Sequence, residues 1–316
     1  MPRQAASVAG ARVTRATESD RRGAIARLRQ ALLSGRNADG GWGYYPGKAS
    51  RLEPTCWALL ALGSQNDAKP LRESAASWLV GCQRPQGWLV ETSEWPVNIA
   101  FNSLAAFTLL HHRDLATDDV RRRLLSALLA SKGIAAPASD TMRQDNSLQG
   151  WSWTDATFSW VEPTCWGLLA FKKARVAGLA DANAQSRIAE AERLLIDRSC
   201  RPGGWNFGNS NVMAQDLRPY VPTTALGLLA MQDRREHEIV VRGLASLESL
   251  WREEISAMAI GLSLVSLNVY ARPEEELRAR LIGHAAGTLT FGNHQGIAQA
   301  LFALSVSSQQ PHAFRL

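Results

Sequence analysis

The chain has 316 residues, 46% of them hydrophobic, and a formal net charge of +6. That is enough for one large domain with a substantial core. Basic residues are scattered, with the densest run at Arg121–Arg123 beside Asp118 and Asp119, so nothing marks a nucleic-acid partner. The four cysteines form no CxxC pair and no zinc-ligand spacing, which excludes a metal centre built on them and leaves reduced thiols suited to the cytoplasm. The positive balance favours anionic ligands or a peripheral membrane surface, or simply solubilises the surface.

In chain order, residues 1–17 are rich in Ala, Ser and Arg and lack an apolar stretch, so they read as a disordered leader rather than a signal peptide. An amphipathic helix follows over Arg21–Leu33, with Ile25, Leu28 and Leu32 on one face. Then come Gly40-Gly41-Trp42 and the pentapeptide Glu53-Pro54-Thr55-Cys56-Trp57, which opens a helix apolar almost all round. Helices apolar on every face are buried. The same grammar returns with Gly87-Trp88 before Ala100–Leu110. It returns again with Trp151 before Glu162-Pro163-Thr164-Cys165-Trp166, and with Gly203-Gly204-Trp205 before Pro222-Thr223-Thr224. Glu53 and Glu162 each lie 11 residues beyond their tryptophan. Two further pairs lack the Gly-Trp turn, Val240–Leu250 with Ile255–Tyr270 and Glu274–Ala285 with Ile297–Leu304. The longest break, Gly133–Gly150, reads as a loop, and Ser305–Leu316 as a polar, peripheral tail. Ile255–Ala271 is nearly uncharged but short for a bilayer span, so a buried helix is expected there.

Repeats of this length predict an array of helical pairs. The fold class is all-α: an α/α toroid of about six hairpins over residues 18–306, with 307–316 as the tail. An open solenoid is the alternative. Every hairpin runs outer helix then inner helix, so the inner N-termini gather at one mouth. Unpaired N–H groups there would attract an anion such as a diphosphate. Glu53, Glu162, Tyr220 and Thr223 are expected near that mouth.

The Gly-Gly-Trp turns and the two Glu-Pro-Thr-Cys-Trp helix starts resemble the terpenoid cyclase and protein prenyltransferase superfamily, squalene–hopene cyclases most of all. The repeat of those cyclases is an aromatic, three residues, Gln, three residues, Gly and Trp. Trp78, Gln83, Gly87 and Trp88 approximate it; Arg36 stands where the first unit would have Gln. The resemblance runs over about Arg21–Met231. It implies an α/α barrel that binds an isoprenoid in a central apolar cavity and opens a double bond with an acid. The family's Asp-x-Asp-Asp acid motif is absent, because Tyr220–Ala225 occupies its place, and the chain has one barrel rather than two. Superposed repeats put Glu53 and Glu162 at the corresponding helix start. The zinc histidine of the prenyltransferases is replaced by Pro54, so no metal or other cofactor is implied.

Glu162 and Glu53 are therefore the candidate acids, since burial would keep a glutamic acid protonated. The competing account is a carboxylate stabilised by a helix dipole at about 0.3–1 kcal/mol. Trp57, Trp153, Trp160, Trp166, Tyr44, Tyr45 and Tyr220 are candidate cation-stabilising aromatics, or packing at helix ends; of these Trp57, Trp160, Trp166 and Tyr220 are the expected substrate contacts. Asp216 would meet a polar head group or simply be solvated. Asn98 would touch substrate or cap the second inner helix. The functions implied are acid-initiated cyclisation or isomerisation of an isoprenoid, non-catalytic binding of an isoprenoid or lipid, or a protein-interaction scaffold with a filled barrel.

Overall fold

The computed structural model describes residues 16–63, 68–137, 143–307 and 310–316. Most of the expected leader lies outside the described residues. Of the part inside, Thr17 caps the first helix, its hydroxyl accepting from the Asp20 N–H. Twelve α-helices follow among the described residues: α1 (Glu18–Ser34), α2 (Leu52–Leu62), α3 (Lys69–Gly81), α4 (Ile99–His111), α5 (Asp118–Ala130), α6 (Val161–Val176), α7 (Ala182–Asp197), α8 (Val221–Ala230), α9 (Glu238–Leu250), α10 (Ala257–Val269), α11 (Glu275–Phe291) and α12 (His294–Ser305). The even-numbered helices form an inner ring. Each packs on the next, and α12 packs back on α2. The chain is therefore a closed α/α toroid, and the open solenoid is excluded.

The repeat residues explain the ring. Trp42, Trp151 and Trp205 are buried, and each indole N–H donates to a carbonyl near the end of the preceding outer helix: Leu32 (2.7 Å), Leu128 (2.9 Å) and Leu195 (2.7 Å). Each tryptophan backbone N–H donates to the threonine hydroxyl at the fourth residue of the inner helix, Thr55 (2.9 Å), Thr164 (3.1 Å) and Thr224 (3.0 Å). The threonine of the pentapeptide thus ties turn to helix. In the second hairpin the register moves by one. Leu89, not Trp88, is the buried residue, and it pairs through both backbone groups with Asn102, again the fourth residue of its helix. Gln83 reaches the Val120 carbonyl (2.9 Å) and so links this hairpin to the next. Gly167 faces Trp151 so closely that a Cβ would lie 2.4 Å from the ring.

The segment after α12 departs from expectation. Ala313 and Phe314 are buried, not peripheral. Gln232 donates to the Phe314 carbonyl (2.7 Å) and Lys173 to that of Ala313 (2.6 Å). One aromatic side chain and a few backbone contacts suffice to seat a segment whose composition reads as polar. Within Ile255–Ala271, residues Ala257–Val269 form α10, whose interior is buried as expected, while Ile255 before it is exposed. No helix among the described residues is long and apolar enough to cross a membrane.

Candidate functional site

The inner N-termini do meet at one mouth, but the first N–H groups of α4, α6 and α12 are already taken. Ile99 N–H donates to the Trp153 carbonyl (2.8 Å), Val161 N–H to that of Phe207 (3.0 Å) and His294 N–H to that of Tyr44 (2.8 Å). Asn98, Ser256 and Asn293 cap α4, α10 and α12 with their side chains. At those three helices the N–H groups expected to attract an anion are spent on joining neighbouring hairpins.

Inside the mouth lies a cavity of about 270 Å³. It is lined by the second and sixth residues of five inner helices: Glu53 and Trp57, Glu162 and Trp166, Pro222 and Leu226, Met258 and Leu262, and Gln295 and Gln299. Residues four apart share one helix face. Glu254 joins them from the loop before α10, and the lining contains neither lysine nor arginine. Three acidic side chains without a cation give a diphosphate no counter-charge and repel it wherever they are ionised. The cavity suits a neutral or cationic guest, a correction to the expectation above.

Glu53 accepts from the Tyr44 hydroxyl on one oxygen (2.6 Å) and from the Gln295 amide on the other (2.6 Å). Burial pushes its pKa up to about 7; the Tyr44 hydrogen bond opposes this, while the charges of Glu162 and Glu91 add to it. Burial also raises Glu162, opposed only by the Trp166 indole. The Trp57 and Trp166 rings meet edge to face at 5.8 Å at the cavity floor. The Trp57 indole N–H and the Gln299 amide oxygen are buried without a partner, which leaves a donor and an acceptor for a guest.

Below that floor the barrel axis is filled. Phe314 lies 6.0 Å from Trp57, 6.0 Å from Trp166, 4.9 Å from Phe107 and 5.6 Å from Phe302. The open space is a pocket at one mouth, not the expected central cavity.

Of the residues singled out from sequence, Glu53, Glu162, Trp57 and Trp166 come together, with Thr223 beside them. The other four expected substrate contacts lie outside this pocket. Trp160 borders a separate depression of about 430 Å³ with Ile134 and Phe158. Asn98 caps α4 and borders another of about 300 Å³ with Arg51, Glu91 and Trp95. Tyr220 packs against Phe207 on the surface (5.2 Å). Asp216 sits in a short hairpin, Asn211–Val212 with Gln215–Asp216, paired with Arg201 (3.1 Å) and Asn211 (2.8 Å). Tyr44, a candidate aromatic, instead serves as a hydrogen-bond donor to Glu53, and sequence reading missed Gln295, Gln299, Met258 and Glu254. Aligning all six inner helices on the Glu53 position would have found Gln295, Gln299 and Met258. His294 is structural, its Nδ1 on the Gly43 carbonyl (2.8 Å). No group of three or more His, Cys, Asp or Glu able to hold a metal occurs among the described residues.

Around the mouth runs an apolar collar. Tyr45, Trp95, Phe158, Phe207, Met213, Ile255 and Phe291 are exposed, and all lie on or beside connections that lead into inner helices.

The raised Glu53 pKa has a consequence for stability. The folded state holds this proton more tightly than the unfolded state. Its contribution is therefore full below about pH 4.5 and is lost as pH rises to about 7. Glu53→Gln should gain stability relative to wild type across that window and level off above it. Urea unfolding at several pH values reads this directly. A difference that stays flat with pH would mean Glu53 is not protonated by burial.

No protein-family model and no curated protein matches the chain. Solved structures do match, and they define its class as an α/α toroid. The type II terpene cyclase MstE from Scytonema superposes with a TM-score of 0.56 at 16% identity, over 87% of this chain and 79% of that one. Its complex with merosterolic acid A, described as product, gives 0.59 at 13% identity over 90% and 96%. An inactive alpha-1,6-mannanase from Salegentibacter, bound to alpha-1,6-mannotriose, gives 0.62 at 9% identity over 89% and 97%. The chain shares a terpenoid cyclase-like fold, and glycosidases share it too. At these identities the likeness concerns the fold alone.

Proposed function

We propose that this protein is a terpenoid cyclase-like enzyme that takes a short, neutral isoprenoid into the mouth pocket and isomerises or cyclises it by protonation. The observation that carries this reading is the pair of buried carboxyl groups, Glu53 and Glu162, facing one pocket with Trp57 and Trp166 and no cation. Two carboxyl groups in one buried site resist ionising together, so one keeps a proton. Glu53 already accepts two hydrogen bonds, which suit a carboxylate. Glu162 has no such donors beyond the Trp166 indole, so it is the proton donor. Protonation of a double bond leaves a carbocation, which the indole faces stabilise. Loss of a proton to Glu53 then closes an isomerisation with no net change in composition. The terpene cyclase MstE, of like fold, has been solved with geranylgeranyl dihydroxybenzoate described as substrate. That neighbour supports a prenyl guest. A pocket of about 270 Å³ lies just below the usual range of about 300–1,000 Å³ for ligand sites, which argues for a shorter chain. The apolar collar favours loading from a membrane surface or another apolar phase.

Non-catalytic binding of the same guest is the second reading, favoured by the firm hold of Tyr44 and Gln295 on Glu53. Incubation with geraniol and farnesol in heavy water separates the two. The donated proton exchanges with solvent, so turnover by wild type should place deuterium on carbon in the product. Binding without deuterium would leave the carrier. No binding of either alcohol would sink both readings and leave the scaffold.

A further inference from the structure

We propose that the 310–316 segment is a built-in stopper for the barrel axis, with Phe314 the residue that sets how long a guest the mouth pocket accepts. This rests on the reading that an apolar chain occupies that pocket.

The aromatic cluster under the pocket has five rings. Trp57, Phe107, Trp166 and Phe302 come from inner helices α2, α4, α6 and α12. The fifth, Phe314, belongs to no helix and enters through the opposite mouth. Its ring stacks on Trp57 at an interplanar angle of 26° and is fully buried. It thereby backs both tryptophans of the pocket floor.

The opposite mouth is built to grip this segment. Gln232 uses both ends of its amide, donating to the Phe314 carbonyl (2.7 Å) and accepting from the Leu316 N–H (3.2 Å). Lys173 donates to the Ala313 carbonyl (2.6 Å), and its ammonium lies 5.2 Å from the Phe107 ring centre. Asn268 accepts from Arg315 on its backbone and side-chain oxygens (3.0 and 3.1 Å) and from His312 (3.2 Å). These anchors stand at or just past the C-terminal ends of α6, α8 and α10. Three helix ends thus converge on one short stretch of backbone and present its single aromatic to the axis. A close-packed ring cannot give way to a guest without leaving its partners. With the segment seated, a chain entering past Glu53 and Glu162 stops at the Trp57 and Trp166 rings. Without the Phe314 ring, those indoles gain room to drop and the pocket deepens along the axis.

The test measures affinities of the full chain for geraniol, farnesol and geranylgeraniol by calorimetry, in wild type, Phe314→Leu and Phe314→Ala. Each variant is first checked by melting. Wild type should bind geraniol and lose affinity for the longer alcohols. Truncation of Phe314 should raise affinity for farnesol relative to geraniol by about tenfold or more, with leucine intermediate. Leu247→Ala, a core truncation on outer helix α9, should leave the ratio unchanged. Should alanine at 314 prevent folding, the leucine variant decides. A ratio unmoved in a folded Phe314 variant, or moved equally by Leu247→Ala, would overturn the stopper while leaving the pocket reading intact. So would a wild type that binds geranylgeraniol as well as geraniol. A folded wild type that binds none of the three would overturn the pocket reading and the stopper with it.

Discussion

Replacing Trp151 by alanine should lower the unfolding free energy by about 3–5 kcal/mol. The side chain is fully buried and stacks on Phe171 at 5.5 Å, with the Arg187 guanidinium over its ring at 4.4 Å. Its loss leaves a void and strips the Leu128 carbonyl of its indole donor. An unmet buried acceptor alone costs about 1–3 kcal/mol. Gly167 supplies the internal control. Gly167→Ala in wild type drives a methyl against the indole at 2.4 Å, an overpacking that costs about 1–3 kcal/mol. In the Trp151→Ala background the same methyl enters empty space, so the two changes should not add. Trp160→Ala, at the exposed mouth, should shift stability by no more than about 0.5 kcal/mol. Urea unfolding of the four variants checks this. A Trp151→Ala cost below about 1 kcal/mol would mean that the indole does not clamp hairpin to hairpin.

That contrast between tryptophans marks where sequence reading works and where it stops. Trp42, Trp151 and Trp205 repeat with a glycine before and a threonine after, so spacing alone assigns them to the ring. Glu53 and Glu162 repeat with them, and identical register put both in one pocket. Trp160 and Tyr220 sit one residue before an inner helix, where the backbone is extended and the 3.6-residue period gives no direction; both turned outward. Asp216 and Asn98 belong to loops, whose leaning depends on neighbours distant in sequence. Gln295 and Gln299 come from a hairpin without the Gly-Trp turn, so no motif pointed to them. Phe314 was hidden by composition. A burial that depends on one ring and on carbonyls gripped by Gln232 and Lys173 leaves no periodic trace. The inner N–H groups misled for a related reason. The helix start was right, but the carbonyls of Trp153, Phe207 and Tyr44 that satisfy those groups come from neighbouring hairpins.

Glu162→Gln should reduce turnover of a neutral prenyl substrate by about 10²–10⁴-fold while leaving its binding nearly unchanged. Glutamine keeps the shape and the capacity to hydrogen bond but has no proton acid enough for a double bond. Because burial raises the Glu162 pKa, the acid form persists above the usual carboxylate range. The sign follows: activity is lost as pH rises through that raised pKa, and is lost again as pH falls below about 7, where Glu53 takes up a proton and no longer serves as base. Glu53→Gln should act differently. Its partner role is to take a proton back, so its loss should slow turnover without removing the high-pH fall that Glu162 imposes. Tyr44 touches only Glu53 of the two, so Tyr44→Phe should perturb the base and spare the acid. Steady-state rates against pH for the three variants distinguish these roles. Retention of full activity by Glu162→Gln, together with loss in Glu53→Gln, would reverse the assignment and make Glu53 the donor. Full activity in both would place the chemistry outside this pair.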